Sequence, residues 1–161
     1  MSPPVPNPYP RRREAAAGIS LLELLIVVVL IGFVSLFAIP RVRTAYDRAM
    51  VRSAHAAVTN LFNSTRTVAR ASNQVAVLQR TGNVLVIQRN AFPPGTSKDT
   101  VGGIQNLLAQ FGVTLTGPDS IRVDPRGLLR APNTTTTYTW GVTRNGQSDS
   151  VIVNAYGRVL R

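Results

Sequence analysis

One carboxylate inside a membrane-length apolar run limits this chain more than any other feature. Residues 19–39 form a stretch of 21 residues in which only Ser20, Glu23, Gly32 and Ser35 interrupt Leu, Ile, Val, Phe and Ala. As a helix this is long enough to span a bilayer. An ionised Glu within hydrocarbon costs about 2.5–3.5 kcal/mol on insertion scales, so Glu23 calls for a functional partner. A secretory signal explains the segment poorly, because its apolar core is shorter and its small-residue cleavage site follows that core. Here Ala15, Ala16, Ala17 and Gly18 precede the apolar run. That order predicts a retained helix behind a removable leader.

The order of residues around Gly18 resembles the type III signal of type IV pilins and type II secretion pseudopilins. The carrying residues are the basic Arg11, Arg12 and Arg13, then Gly18-Ile19-Ser20-Leu21-Leu22-Glu23. The resemblance implies that a prepilin peptidase cuts between Gly18 and Ile19 and methylates the new amine. It also implies that Glu23 pairs with the amine of a neighbouring subunit during assembly. Pro40 stands where this family has a helix-bending proline. Ile19 departs from the family's usual Phe, and the leader is long, with a Pro-rich start.

Without residues 1–18, the chain carries 15 basic and 6 acidic residues, a net charge of +9. Nearly all of the cations are arginines, 17 against a single Lys98. Such a surface attracts phosphates, acidic lipids or acidic partners through salt-dependent fields. Arginines flank the apolar run on both sides, with Arg41, Arg43, Arg48 and Arg52 following it, so charge alone does not set the topology. The resemblance implies an inner-membrane protein with a cytoplasmic N-terminus and an extracytoplasmic body. Cysteine is absent. The body must therefore be held by packing, without disulfides or thiolate metal ligands.

Beyond Pro40 the helical pattern continues, since no Gly or Pro falls within residues 41–72. Met50, Ala54, Ala57, Leu61, Ser64 and Val68 recur at three- and four-residue spacing and predict the core-facing stripe. One helix is expected over residues 19–71, bent near Pro40. Residues 74–79 and 84–88 flank Thr81-Gly82-Asn83 and predict a hairpin. Residues 91–103 read as a loop. Ile104, Leu107, Leu108 and Phe111 predict a short helix that Gly112 ends. Residues 113–115 and 120–123 read as strands. A second hairpin, residues 135–142 and 150–156, surrounds Asn145-Gly146.

The expected fold class is α+β, with a long N-terminal helix, transmembrane in its first half, packed on a small, mainly antiparallel β-rich body. Its parts are a leader over 1–18, a filament-core helix over 19–39, an amphipathic continuation over 40–72 and a globular domain over 73–161. This arrangement resembles the H-class minor pseudopilins, the GspH/FimT-like family. The residues carrying that likeness are Leu61, Ala69-Arg70-Ala71, Val75-Ala76-Val77-Leu78, Ile121 through the Asp124-Pro125-Arg126-Gly127 turn, and Val151 through Val159. It implies a non-enzymatic structural subunit that helps initiate or cap a type II secretion pseudopilus. Other pseudopilins or pilins are the implied partners.

Catalytic chemistry has little support in the sequence. His55 is the one histidine, and it reads as a solvated helix-face residue. Asp47, Asp99, Asp119, Asp124 and Asp149 are scattered, without the spacing of a carboxylate pair, a calcium loop or another metal site. No cofactor is expected. The arginines point to a different function: in DNA-uptake members of the GspH/FimT-like family, a C-terminal Gly-Arg-x-Arg segment contributes to DNA binding. This chain ends Gly157-Arg158-Val159-Leu160-Arg161, one residue out of that spacing. Arg122, Arg126, Arg130 and Arg144 are candidates to widen such a surface, since nonspecific binding needs only clustered cations. The tail pair Arg158 and Arg161 is expected to matter more than Arg66 on the helix. A DNA-binding minor type IV pilin for natural transformation is therefore the alternative.

Overall fold

The computed structural model describes residues 19–90, 97–130 and 137–160. Gly18 and Arg161, together with the first part of the expected 91–103 loop and the start of the expected 135–142 strand, lie outside the described residues. The chain divides at Pro40 into two compact units.

The first unit is the apolar part of α1, Leu21–Ser72. Its large side chains up to Ile39 are exposed. It is long and apolar enough to cross a membrane. Glu23 lies in its first turn, and Leu24 N–H donates to Ser20 C=O at 3.1 Å. Pro40 lies inside the helix, where it has no N–H for the carbonyl four residues earlier.

In the second unit, α1 buries Val51, Ala54, Val58, Phe62, Thr65 and Ala69. This stripe lies one residue round from the expected one. Ala54 belongs to both, while Ala57, Leu61 and Val68 flank the core half-buried. Thr65 enters the core because its hydroxyl donates to Leu61 C=O at 2.8 Å and so is not left unpaired. The helix ends where Asn73 takes a left-handed φ of 51°. Gln74 N–H reaches Ala69 C=O at 3.2 Å and Asn73 N–H reaches Arg70 C=O at 3.2 Å, which together close the last turn.

The strands are β1 (Ala76–Thr81), β2 (Val84–Asn90), β3 (Lys98–Asn106), β4 (Thr114–Thr116), β5 (Ser120–Val123), β6 (Thr137–Arg144), β7 (Gln147–Asn154) and β8 (Val159–Leu160). They form two four-stranded sheets, ordered β3-β2-β1-β5 and β4-β6-β7-β8, with every pairing antiparallel. Alternation places Leu78 opposite Ile87 and Ile121, and Trp140 opposite Val151, all buried. They share one core with the buried stripe of α1. The α+β expectation holds.

Three expected elements differ, one being the second hairpin, whose strands Thr137–Arg144 and Gln147–Asn154 leave only a two-residue turn and end before Ala155. Residues 98–103 are strand rather than loop, and Ile104 is exposed within β3 rather than placed on a helix face. The short helix α2 spans only Leu107–Phe111, because the Asn106 side chain accepts from Ala109 N–H and caps it there. Gly112 ends it with a φ of 63°, as expected. Of the two turns read from sequence, Gly82-Asn83 joins β1 to β2 and Asn145-Gly146 joins β6 to β7.

Candidate functional site

The candidate site lies where the second half of α1 meets two turns. The first is Asp124-Pro125-Arg126-Gly127. Asp124 Oδ1 accepts from Arg126 N–H and Leu128 N–H, both at 2.9 Å, which fixes the turn from its own side chain. The chain then runs back along β5: Leu129 bridges Val123, and Arg130 N–H donates to Arg122 C=O at 2.8 Å. This puts Arg122 and Arg130 opposite each other, both exposed.

The second turn lies between β7 and β8. Gly157 N–H donates to Asn154 C=O, Asn154 N–H to Arg158 C=O, and Arg158 N–H to Asn154 Oδ1. Gly157 has a φ of 72°, and a Cβ there would lie 2.6 Å from Gly127 C=O. The two turns thus touch backbone to backbone, which only glycine at 157 permits. From α1, Arg66 Nε donates to Gly127 C=O at 3.2 Å and Arg70 to Arg126 C=O at 3.4 Å.

Beside these contacts runs an open groove of about 530 Å³ lined by His55, Ala56, Thr59, Asn60, Asn63, Arg66, Gly157, Arg158 and Val159. The Thr59 hydroxyl is buried without a hydrogen-bond partner. Arg66 on the helix and Arg158 on the tail therefore line one site. Among the described residues, Arg66, Arg70, Arg122, Arg126, Arg130 and Arg158 take part in no ion pair. Asp124, the acid on the same turn as Arg126, is occupied with backbone N–H groups.

Arg144 is placed elsewhere. Its Nε bonds Asp47 Oδ1 at 2.7 Å, another guanidinium nitrogen bonds Phe111 C=O, and its Cζ lies 5.4 Å from the Tyr46 ring centroid. Its charge is matched and its role is to tie α1 to β6 and α2. His55 is not merely solvated: Nδ1 lies 2.7 Å from Asp149 Oδ2. Neither pair shows in the sequence, since each joins residues more than ninety positions apart. Sequence reading also passed over Arg80, which gathers five acceptors around residues 115–119 and Gly82. Among the described residues, no group of three or more His, Cys, Asp or Glu could hold a metal ion.

The two carboxylates that tie α1 to the body make the fold acid-sensitive. Asp47 is held below the ordinary carboxylate value by its hydrogen bond from Arg144 and then by that from Asn145. Burial pushes Asp149 up, but the His55 bond, the Ser150 N–H and the charges of His55 and Arg52 outweigh it, so it too is lowered. Both groups take a proton less readily folded than unfolded, so their stabilisation is complete above the unfolded value of 3.8 and lost as pH falls through the folded values. Thermal melts should therefore hold level down to about pH 5 and fall below about pH 4, with a shallower fall in Asp149→Asn. A loss centred well above pH 5 contradicts this assignment.

No protein-family model matches the chain, and no curated protein matches it in sequence. Among solved structures it is similar to the type IV minor pilin FimU of Pseudomonas aeruginosa in two crystal forms. The P21 form gives a TM-score of 0.55 at 15% identity over 70% of this chain and 88% of that one. The P65 form gives 0.52 at 15% identity over 68% and 90%. The long N-terminal helix and the antiparallel sheets packed on it make this a pilin-like fold.

Proposed function

We propose that the chain is a non-enzymatic structural subunit of a pilin-class filament, made as a precursor that prepilin peptidase cuts after Gly18 and methylates on Ile19. The observation that carries this reading is the apolar first part of α1, its large side chains exposed and one carboxylate among them, at the head of a pilin-like fold. So much exposed apolar surface requires lipid before assembly and neighbouring helices after it. The inner membrane, with the body outside the cytoplasm, and then a filament of other pilins or pseudopilins supply these two surroundings. Within that class, the likeness to the H-class supports a minor pseudopilin of a type II secretion apparatus, acting at filament initiation or at the tip.

The band of arginines without acidic partners favours a second reading, a minor type IV pilin that binds DNA. A deletion strain separates the two. Lost protein secretion with DNA uptake intact is the expected result. Normal secretion with lost DNA uptake overturns the first reading in favour of the second.

A further inference from the structure

The groove beside β8 combines cations with an open strand edge. β8 is the end strand of its sheet. Asn154 N–H donates to Arg158 C=O at 3.0 Å, so the next pair along the ladder, Val153 and Val159, is a non-hydrogen-bonded one. In an antiparallel pair, the N–H and C=O of such a residue point away from the neighbouring strand. Val159, which lines the groove, thus turns its backbone away from β7. An unpaired strand edge is a template for an extended chain. Asn60 and Asn63 on the opposite wall supply side-chain amides, which both donate and accept.

Charge selects what enters. Arg66 and Arg158 border the groove, and among the described residues no carboxylate pairs with either. The chain's own side-chain carboxylates stand at least five residues apart in sequence. Asp47 is taken by Arg144, Asp99 by Arg89, Asp119 by Arg80 and Asp149 by His55. Asp124 caps its own turn, and Glu23 sits at the start of the apolar helix. A second copy therefore brings no extended segment whose carboxylates are spaced closely enough to meet both arginines.

From this we infer that the groove between α1 and β8 binds an extended acidic segment of a different protein, its backbone pairing along the open edge at Val159 and its carboxylates meeting Arg66 and Arg158. Such a contact places this chain next to an unlike neighbour rather than another copy of itself. The inference stands on the groove alone and does not depend on the chain entering a filament.

The test uses the full chain in detergent micelles and the fluorescence anisotropy of a labelled peptide of alternating Glu and Val at about 150 mM salt, where long-range attraction is screened. Binding is expected. It should fall about tenfold or more in Arg158→Ala, the loss of one charge-assisted contact. The Arg158 side chain makes no hydrogen bond or ion pair within the described residues, so this variant should melt like the wild type. Arg66→Lys, which keeps the charge but not the planar donor fork, should weaken binding too. The same peptide N-methylated at alternate amides should bind much less. Unchanged binding in Arg158→Ala, or equal binding of the N-methylated peptide, overturns the inference. So does duplex DNA that binds under these conditions and is not displaced by the peptide, which assigns the groove to nucleic acid. A chain that binds the peptide but is absent from filaments leaves the inference standing and refutes the filament function.

Discussion

Gly18→Ala is expected to leave a full-length precursor in the membrane fraction, while Glu23→Ala is expected to mature normally and then fail to enter filaments. The two variants separate processing from assembly. Removing the carboxylate makes the helix more apolar, so membrane retention should improve and a failure downstream has to come from assembly. In a filament core the Glu23 carboxylate would be desolvated against a neighbour's Ile19 amine. Breaking such a pair by removing one partner leaves the other charge buried, at a cost of about 3 kcal/mol or more, on the order of a hundredfold at each subunit contact. Glu23→Gln should fail nearly as completely, because the amide fills the space without neutralising the amine. Filament yield in sheared fractions measures this, and wild-type incorporation of Glu23→Ala would refute the pairing.

Arg80→Ala should produce the largest loss of stability from any charged side chain in the body. Arg80 is half-buried on β1 and donates to the carbonyls of Gly117 at 2.8 Å, Gly82 at 3.1 Å and Pro118 at 3.3 Å, with Asp119 Oδ1 as a further partner. Asp119 is largely exposed, so the ion pair itself contributes little. The part-buried carbonyls of Pro118 and Leu115 matter more, because they lose a charged donor with little access to water in exchange. A loss of about 3 kcal/mol, or roughly 10 °C in melting temperature, is expected. Asp119→Asn should stay within about 0.5 kcal/mol of wild type. Arg80→Lys should recover only part of the loss, since a single ammonium cannot span the separated acceptors. Trp140 is the sole tryptophan, and its indole N–H bonds the same Pro118 carbonyl at 3.2 Å, so its fluorescence reports directly on this loop. A melt of Arg80→Ala that matches wild type would show that the loop holds without it.

What the sequence disclosed was local, and what it concealed was mostly long-range. The turns at Gly82-Asn83 and Asn145-Gly146 identify themselves, because few other residues accept the left-handed backbone found at Gly82, Asn145 and Gly146. The apolar run with Glu23 is equally plain. The buried face of α1 was read one residue off because Thr65 looks too polar for a core until its bond to Leu61 C=O is seen. β3 was missed because Gly102-Gly103 suggests a loop and Ile104 falls in helical register with Leu107, Leu108 and Phe111. The strand persists there through pairing with β2, which a one-dimensional pattern does not carry. The site has the same limit. Arg158 stood out beside Gly157, but Arg66 gave no sign of lying across a groove from it, and Arg144 looked like any other surface cation until Asp47 was placed against it.

The filament function rests on where the mature chain begins and where it then resides. Mass spectrometry of the N-terminal peptide from sheared, purified filaments reads both at once. The expected result is a peptide that starts at Ile19 and carries one methyl group on its amine. A mature N-terminus at any other residue, or a chain that is cut and stays in the membrane while filaments form without it, would contradict that function.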